Sequence, residues 1–385
     1  MEKTKKINYQ IILIIFVLVF LMTNFILGEM KYLNYIKEHK IILGTTEEEY
    51  NENFKINKLI KKNNNFYYNK LNTKEKEIYG KIANIVKNKE NAFVVDKKNY
   101  PGSFEKTLSN SIEAFIDDHP EVFYISKMYK FIEYNSLLSK KYIVTIDYNY
   151  NIIDIDNKIN ELDYEIKRLI KNLKDKDEYT KEYIVNEYLS QNVDYDYTKN
   201  RKNTHNIYGA LIERKAVCDG ISNAANILLN NLDVDSILVV GKLKKDLHAW
   251  NLVKIGDEYY HLDITSNISL KEEEGIYAHN YFNVTTDEIK KTHNIKNEEI
   301  YPKAVNLTEN YYIKNGYTLS VKENMYDKLN SIIDKSLGNN VIEFKNIDIA
   351  NVKETVIDIL KKRADVRFNS IRYYEMGDII MIKIK

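Results

Sequence analysis

Ala216-Val217-Cys218-Asp219-Gly220-Ile221-Ser222-Asn223-Ala224-Ala225-Asn226-Ile227-Leu228-Leu229 is the stretch on which the reading of this chain turns. After the cysteine, Ile221, Ala224 or Ala225, Leu228 and Leu232 recur at helical spacing, so a helix is expected to begin at Cys218. A sulfur at a helix start faces unpaired backbone N–H groups and the positive end of the helix dipole. Both favour a thiolate, and the same N–H groups can hold an oxyanion forming beside it. Ala224 and Ala225 would let this helix pack close against a sheet. Cys218 is the one cysteine of the chain and cannot form a disulfide within it. It is therefore either a small buried filler or a thiol kept for its reactivity, and the rest of the sequence must decide.

Three β-like runs follow, at 236–243, 248–255 and 259–265. Gly256-Asp257 fits a two-residue turn with glycine at its first central position. That register sets Ile255 opposite Glu258 and His248 opposite Thr265. Asp263 is then a diagonal neighbour of His248 on one face of the hairpin, about 7 Å away at the backbone. A carboxylate at that distance can orient an imidazole. Trp250 is read as a core or cleft-wall aromatic that meets substrate, Asn251 as a local hydrogen-bonding residue, and His261 as a structural histidine on the face of Asp263.

Three blocks, Ala216-Val217-Cys218-Asp219-Gly220, His248-Ala249-Trp250-Asn251 and His261-Leu262-Asp263-Ile264-Thr265, resemble those of the bacterial transglutaminase-like superfamily in content and order. The resemblance covers about residues 180–285. It implies an α+β, papain-like core with a nucleophile helix on an antiparallel sheet. It further implies Cys218 as nucleophile, His248 as general base and Asp263 as the acid that orients it. The implied chemistry is attack of a thiolate on a peptide or protein amide, through a thioester, ending in hydrolysis or in transfer to an amine. Family members often carry tryptophan after the threonine of the third block, whereas this chain has Ser266. That departure and the length of chain outside the core leave a second reading, a catalytically silent scaffold or binding module of the cell envelope.

The first thirty residues differ in kind. Lys3, Lys5 and Lys6 precede an apolar run from Ile11 that continues to Leu27, about 17 residues and near the lower limit for a membrane-spanning helix. The exit, Phe25-Ile26-Leu27-Gly28-Glu29, lacks the small residues of a cleavage site, so an uncleaved signal anchor over 1–28 is expected, with secretion after cleavage as the alternative. Either places the body of the protein outside the cytoplasm. Residues 29–65 read as a polar stalk, 66–155 as an accessory α+β module, 156–300 as the transglutaminase-like domain and 305–385 as a small C-terminal α/β module ordered β-α-β-α-β-β. Within the accessory module, helices are expected after Asn72, which forms a capping box with Glu75, and from Ser103 to before Pro120. Two β-like runs follow at 121–133 and 142–150, then a helix over 157–174. Asp118-His119-Pro120-Glu121-Val122-Phe123 resembles a module that precedes such domains in clostridia-like bacteria.

A formal net charge of +1 gives no electrostatic basis for nucleic-acid binding. Zinc held by Cys218, His248, His261 and Asp263 would lack the paired spacing of zinc ligands, and no cofactor or metal is expected. Asp194-Tyr195-Asp196-Tyr197 lacks the glycine and distal glutamate of a calcium loop. His39, His119, His205, His279 and His293 are read as surface or internally satisfied histidines. The expected partners are a peptide or protein substrate at the cell surface and, through the N-terminal helix, the membrane.

Overall fold

The computed structural model describes residues 2–38, 41–44, 48–51, 53–61, 65–135, 140–322, 324–336, 341–363, 365 and 369–384, with side chains from residue 14 onward. The chain folds as α+β and divides into two units, Met1–Glu161 and Leu162–Lys385.

The first unit begins with α1 (Glu2–Glu38), in which the side chains from Ile14 to Leu27 are all exposed. Its segment Ile14–Glu38, 25 residues, is long and apolar enough to cross a membrane. At 1.5 Å per residue it spans about 37 Å, more than a hydrocarbon core of about 30 Å. The polar stalk expected over 29–65 takes another form. Residues 29–38 continue α1, and Ile41, Tyr50, Phe54, Ile56, Leu59 and Ile60 are buried in the unit's core. Scattered apolar residues are enough to dock a segment whose average composition is polar.

Helix α2 (Thr73–Lys87) starts at the capping box of Asn72 and Glu75, and Ile78, Ile82 and Ile85 face inward. Strand β1 (Ala92–Asp96), helix α3 (Phe104–Asp118, capped by Ser103), β2 (Ile125–Asn135) and β3 (Lys140–Tyr148) complete an antiparallel sheet of order β1-β3-β2. The polar turn expected between β2 and β3 falls outside the described residues. The Asp118-His119 piece is buried: Asp118 accepts the N–H groups of Tyr67 (2.9 Å) and Tyr68 (2.8 Å), and His119 Nδ1 donates to Glu121 (2.7 Å). Helix α4 (Ile152–Ile170) begins five residues earlier than expected because Asn151 Oδ1 accepts the Asp154 N–H at 2.9 Å and so caps the start.

In the second unit come α5 (Glu178–Asn192), β4 (Asp194–Tyr195), α6 (Ile207–Leu211), β5 (Lys215–Ala216), α7 (Cys218–Asn231), β6 (Ser236–Leu243), β7 (Asp246–Ile255) and β8 (Glu258–Leu262). They are followed by α8 (Ile264–Asn267), α9 (Lys271–Glu274), β9 (Phe282–Val284), α10 (Thr286–Ile289) and β10 (His293–Ile295). One antiparallel sheet runs in the order β10-β6-β7-β8-β9, and α7 packs on β6 and β7. Gly256, with φ +60°, makes the turn that sets Ile255 opposite Glu258. The remaining chain forms α11 (Tyr311–Asn315), β11 (Thr318–Leu319), α12 (Met325–Ser336), β12 (Val341–Asn346), α13 (Val352–Lys362), β13 (Ile371–Met376) and β14 (Ile379–Ile384). From β11 onward this is the expected β-α-β-α-β-β order, with Leu329, Ile333, Val352, Val356 and Leu360 in one apolar core. Within this module residues 337–340 and 366–368 fall outside the described residues.

Candidate active site

Cys218 is the first residue of α7 and is partly exposed. Val217 before it is extended and bound to the 204 loop, its N–H donating to Thr204 O at 3.0 Å. Two residues on, a Cβ at Gly220 would lie 2.8 Å from Thr204 O and 2.9 Å from Ala216 Cβ. Only glycine lets the first turn of α7 approach that loop. The loop is itself held by Asp196, whose carboxylate accepts from the hydroxyls of Thr204 (2.5 Å) and Thr198 (2.7 Å). Asp194 pairs with Lys271 at 3.1 Å, so both carboxylates of the 194–197 run are engaged in fastening the chain.

Helix α7 is tied to β7 by side chains. Ser222 Oγ donates to Ala249 O at 3.0 Å, and Asn251 Nδ2 donates to Ser222 O at 3.0 Å. Ser222 lies one turn after Cys218, and Ala249 and Asn251 lie one and three residues after His248. These two bonds therefore fix the sulfur's element relative to the histidine's. Asn251 was expected to bond locally, but its partners are across the helix–sheet boundary.

His248, buried on β7, donates Nε2–H to Asp263 Oδ2 at 2.8 Å. Cys218 lies near enough to the same ring to raise its affinity for a proton. Burial works against the imidazolium, but the Asp263 carboxylate and the neighbouring Cys218 outweigh it and push His248 up to about 10. Asp263 is fully buried, which raises a carboxyl, yet His248 and His293 hold it well below the usual carboxylate range.

Asp263 reaches His248 by a different local route from the one expected. Strand β8 ends at Leu262, opposite Asn251, and the ladder does not continue to pair His248 with Thr265. Asp263 instead caps α8, its Oδ1 accepting the Ser266 N–H at 3.1 Å. The competing force is the aspartate's preference for a helix start over a strand interior. The Ser266 hydroxyl also donates to Asp263 Oδ2.

One residue of this group was not foreseen. His293, on the edge strand β10, is buried and donates Nε2–H to Asp263 Oδ2 at 3.0 Å. The usable signal was slight: alternation along His293-Asn294-Ile295, with only Asn294 exposed, puts a histidine on the buried face. Such a residue needs a partner.

Residues 167–264 match the model of the transglutaminase-like superfamily core. That segment of the chain is therefore transglutaminase-like. Two solved structures align with part of the chain. A TGase crystal structure is 20% identical with a TM-score of 0.25, covering 36% of this chain and 44% of that one. A candidate cysteine protease from Cytophaga hutchinsonii is 16% identical with a TM-score of 0.24, covering 37% of this chain and 63% of that one. The chain thus spans less than two thirds of either. No curated protein matches the sequence.

Within the transglutaminase-like domain, Trp250 has no exposed surface, so of its two readings it takes the core one and does not wall a cleft. Its indole lies against the rings of His248 (5.9 Å) and His293 (5.0 Å) and donates Nε1–H to His261 Nδ1 at 3.0 Å. His261 in turn meets Thr286 Oγ1 at 3.2 Å, and burial and the neighbouring His293 push it down to about 3. Its role is to hold Trp250. Ser266, the departure from the family pattern, occupies its position as a donor to Asp263. Donor atoms of His248, Asp263 and His293 lie within 4.8 Å of one another, a set by which a metal ion can be held. Their pairwise spacings of 2.8 and 3.0 Å are those of hydrogen bonds already made. Cys218 and His261 are not part of that set.

Proposed function

We propose that this protein is a membrane-anchored, extracytoplasmic cysteine enzyme that attacks amide bonds of peptides or proteins, with Cys218 as nucleophile, His248 as base and Asp263 as its orienting acid. The observation that carries the reading is one imidazole, His248, bound to the carboxylate of Asp263 at 2.8 Å and lying beside Cys218, the first residue of α7. The domain's membership of a superfamily of cysteine-dependent enzymes supports it. The exposed apolar helix α1 supports the anchor.

His248 takes the thiol proton, leaving a thiolate–imidazolium pair, and Asp263 stabilises the ring's charge without accepting its proton. The thiolate adds to the amide carbonyl carbon, and the start of α7 offers backbone N–H groups to the oxyanion. The C–N bond then breaks, His248 protonates the departing amine, and a thioester remains on Cys218. Water or a primary amine attacks the thioester, His248 taking its proton. The products are an acid or a new amide, and the thiol is regenerated.

The test uses the full-length protein in detergent. Cys218, as the one cysteine, is the only alkylation site for a thiol reagent. Iodoacetamide should modify it at pH 6 faster than a free thiol, and His248→Ala should abolish the excess. Alkylation no faster than a free thiol, unchanged by His248→Ala, would rule out the enzyme. A peptide library with a labelled amine then separates the outcomes: new termini mean hydrolysis, and label on peptide means acyl transfer.

A further inference from the structure

A buried carboxylate left to itself is driven toward its neutral form. Asp263 has no exposed surface, and its ion pair with His248 lasts only while the imidazole holds two protons. Each time His248 gives a proton to a leaving amine, the pair disappears and the carboxylate stays buried. Other donors must then keep it charged, or it becomes a competitor for the proton that His248 moves.

Those donors surround it. Oδ1 accepts the Ser266 N–H at 3.1 Å. Oδ2 accepts the Ser266 hydroxyl and His293 Nε2–H at 3.0 Å, beside His248 Nε2–H at 2.8 Å. A carboxylate only accepts, so His293 carries a proton on Nε2, and its Nδ1 lies 2.8 Å from Thr292 Oγ1. Thr292 Oγ1 is 3.1 Å from the hydroxyl of half-buried Tyr281, within hydrogen-bond reach. The row Tyr281–Thr292–His293 backs the ring that donates to Asp263. The indole of Trp250 lies against both histidines at 5.9 and 5.0 Å. The titratable groups facing Asp263 are His248 and His293 directly, Cys218 through His248, and Tyr281 and His261 at longer range.

We propose that His293 is a positioning residue of the site, which with Ser266 clamps the Asp263 carboxylate and keeps it ionised while His248 loses and regains its proton. This rests on Cys218 and His248 acting as nucleophile and base. His293 meets Asp263 and lies 5.3 Å from the His248 ring, so its effect is read through His248. Removing a donor to a charged carboxylate raises the pH at which it protonates. Without that donor Asp263 is also held less firmly against His248, so the imidazolium is less stabilised and the thiolate beside it reverts to thiol at a higher pH. The acid limb of Cys218 reactivity should therefore move upward.

The experiment is the pH dependence of Cys218 alkylation in the full-length protein, for wild type, His293→Leu, His293→Gln and Ser266→Ala. In His293→Leu the acid limb should move up by about one pH unit, with a roughly tenfold slower rate on that limb, the equivalent of one lost charge-assisted hydrogen bond. His293→Gln, which keeps an N–H donor, should recover most of the loss, whereas a purely space-filling role would be met as well by leucine. Ser266→Ala should shift the limb in the same direction. A wild-type profile in His293→Leu, together with loss of activation in His248→Ala, overturns the clamp and leaves the enzyme reading intact. Absence of activation in wild type overturns the enzyme reading instead. Should His293→Leu fail to fold, Ser266→Ala and Thr292→Val carry the test, and unshifted limbs in both refute the clamp.

Discussion

His261 and His293 look alike in the sequence, lone histidines near apolar residues, yet their surroundings give them opposite work. His293 donates to a carboxylate, whereas His261 accepts the indole N–H of Trp250 at Nδ1 and is held neutral, down at about 3. The folded state therefore binds fewer protons at His261 than the unfolded chain does between its ordinary value of about 6.5 and about 3. Stability of the domain should fall as the pH drops through that window, by at most about 1.4 kcal/mol per unit from this group. Urea unfolding followed by the fluorescence of Trp250, the one tryptophan of the chain, should show it. His261→Asn keeps an acceptor near the indole and removes the titration, so its slope below pH 6 should be shallower than wild type. Equal slopes would mean that His261 is not the buried neutral group described. Asp263→Asn probes the neighbouring carboxylate. It should slow amide attack by about 10²–10⁴ while Trp250 fluorescence stays native, as measured with any peptide the enzyme is found to turn over.

Among the elements, α7 and the hairpin of β7 and β8 place the chemistry, and most of their form was legible. Helical spacing after Cys218 gave α7, and Gly256-Asp257 gave the turn with Ile255 opposite Glu258. What periodicity missed was the end of β8. Ile264 and Thr265 are β-branched and extend a strand pattern, but Asp263 finds a better partner in the Ser266 N–H and turns the chain into α8. Strand β1 was missed because five residues between two helices carry little alternation. The closest fit in the site is Gly220, where a methyl group would meet Thr204 O at 2.8 Å. Gly220→Ala must push α7 away from the 204 loop. Overpacking of that kind costs about 1–3 kcal/mol, and here it also moves the sulfur. Alkylation of Cys218 at pH 6 should slow several-fold in this variant, while Ala224→Gly, in the same helix, should leave the rate within twofold. An unchanged rate in Gly220→Ala would show that the helix start tolerates movement.

At the scale of the whole molecule, the transglutaminase-like core and the C-terminal sheet are joined by a buried charge. His279 Nε2 donates to Glu187 on α5 at 2.7 Å and Nδ1 to Glu343 on β12 at 2.5 Å, and its ring stacks on Tyr311 at 3.8 Å. Burial opposes the imidazolium, but Glu343 and Glu187 push it up to about 10. Because the folded value is raised, its contribution is complete below about pH 6.5 and is lost as the pH rises through about 10. His279→Leu leaves two carboxylates facing each other and should cost about 3–5 kcal/mol. Amide hydrogen exchange in β12 and β14 at pH 7 should accelerate in the variant relative to β6 and β7. Uniform acceleration, or none, would argue against a latch specific to the C-terminal sheet. The other end of the chain is tested by fractionation. Full-length protein should stay in the membrane pellet after alkaline carbonate extraction and a chain lacking residues 1–28 should not. Protease added to intact cells should reach the C-terminal region. Protection from that protease would refute an outward-facing body.

Taken alone, the sequence determined what depends on neighbours along the chain: the helix starts at Asn72, Ser103 and Cys218, the Gly256 turn, the apolar N-terminal run and the order of the three blocks. Caps, turns and periodicity are local, and a few side chains specify each. The tertiary structure alone decided which of seven histidines meet Asp263. His293 is 75 residues from Cys218 (293 − 218) and outside the matched segment 167–264. It arrives only because β10 pairs with β6 at the edge of the sheet, His293 opposite Leu243. The same was true of Trp250, whose burial depends on the packing of three strands around it, and of Ile41, Tyr50, Phe54, Ile56, Leu59 and Ile60, which found a core. Contacts of this kind are set by strand order and by the exclusion of water from a shared interior, and neither is written in any one stretch of residues.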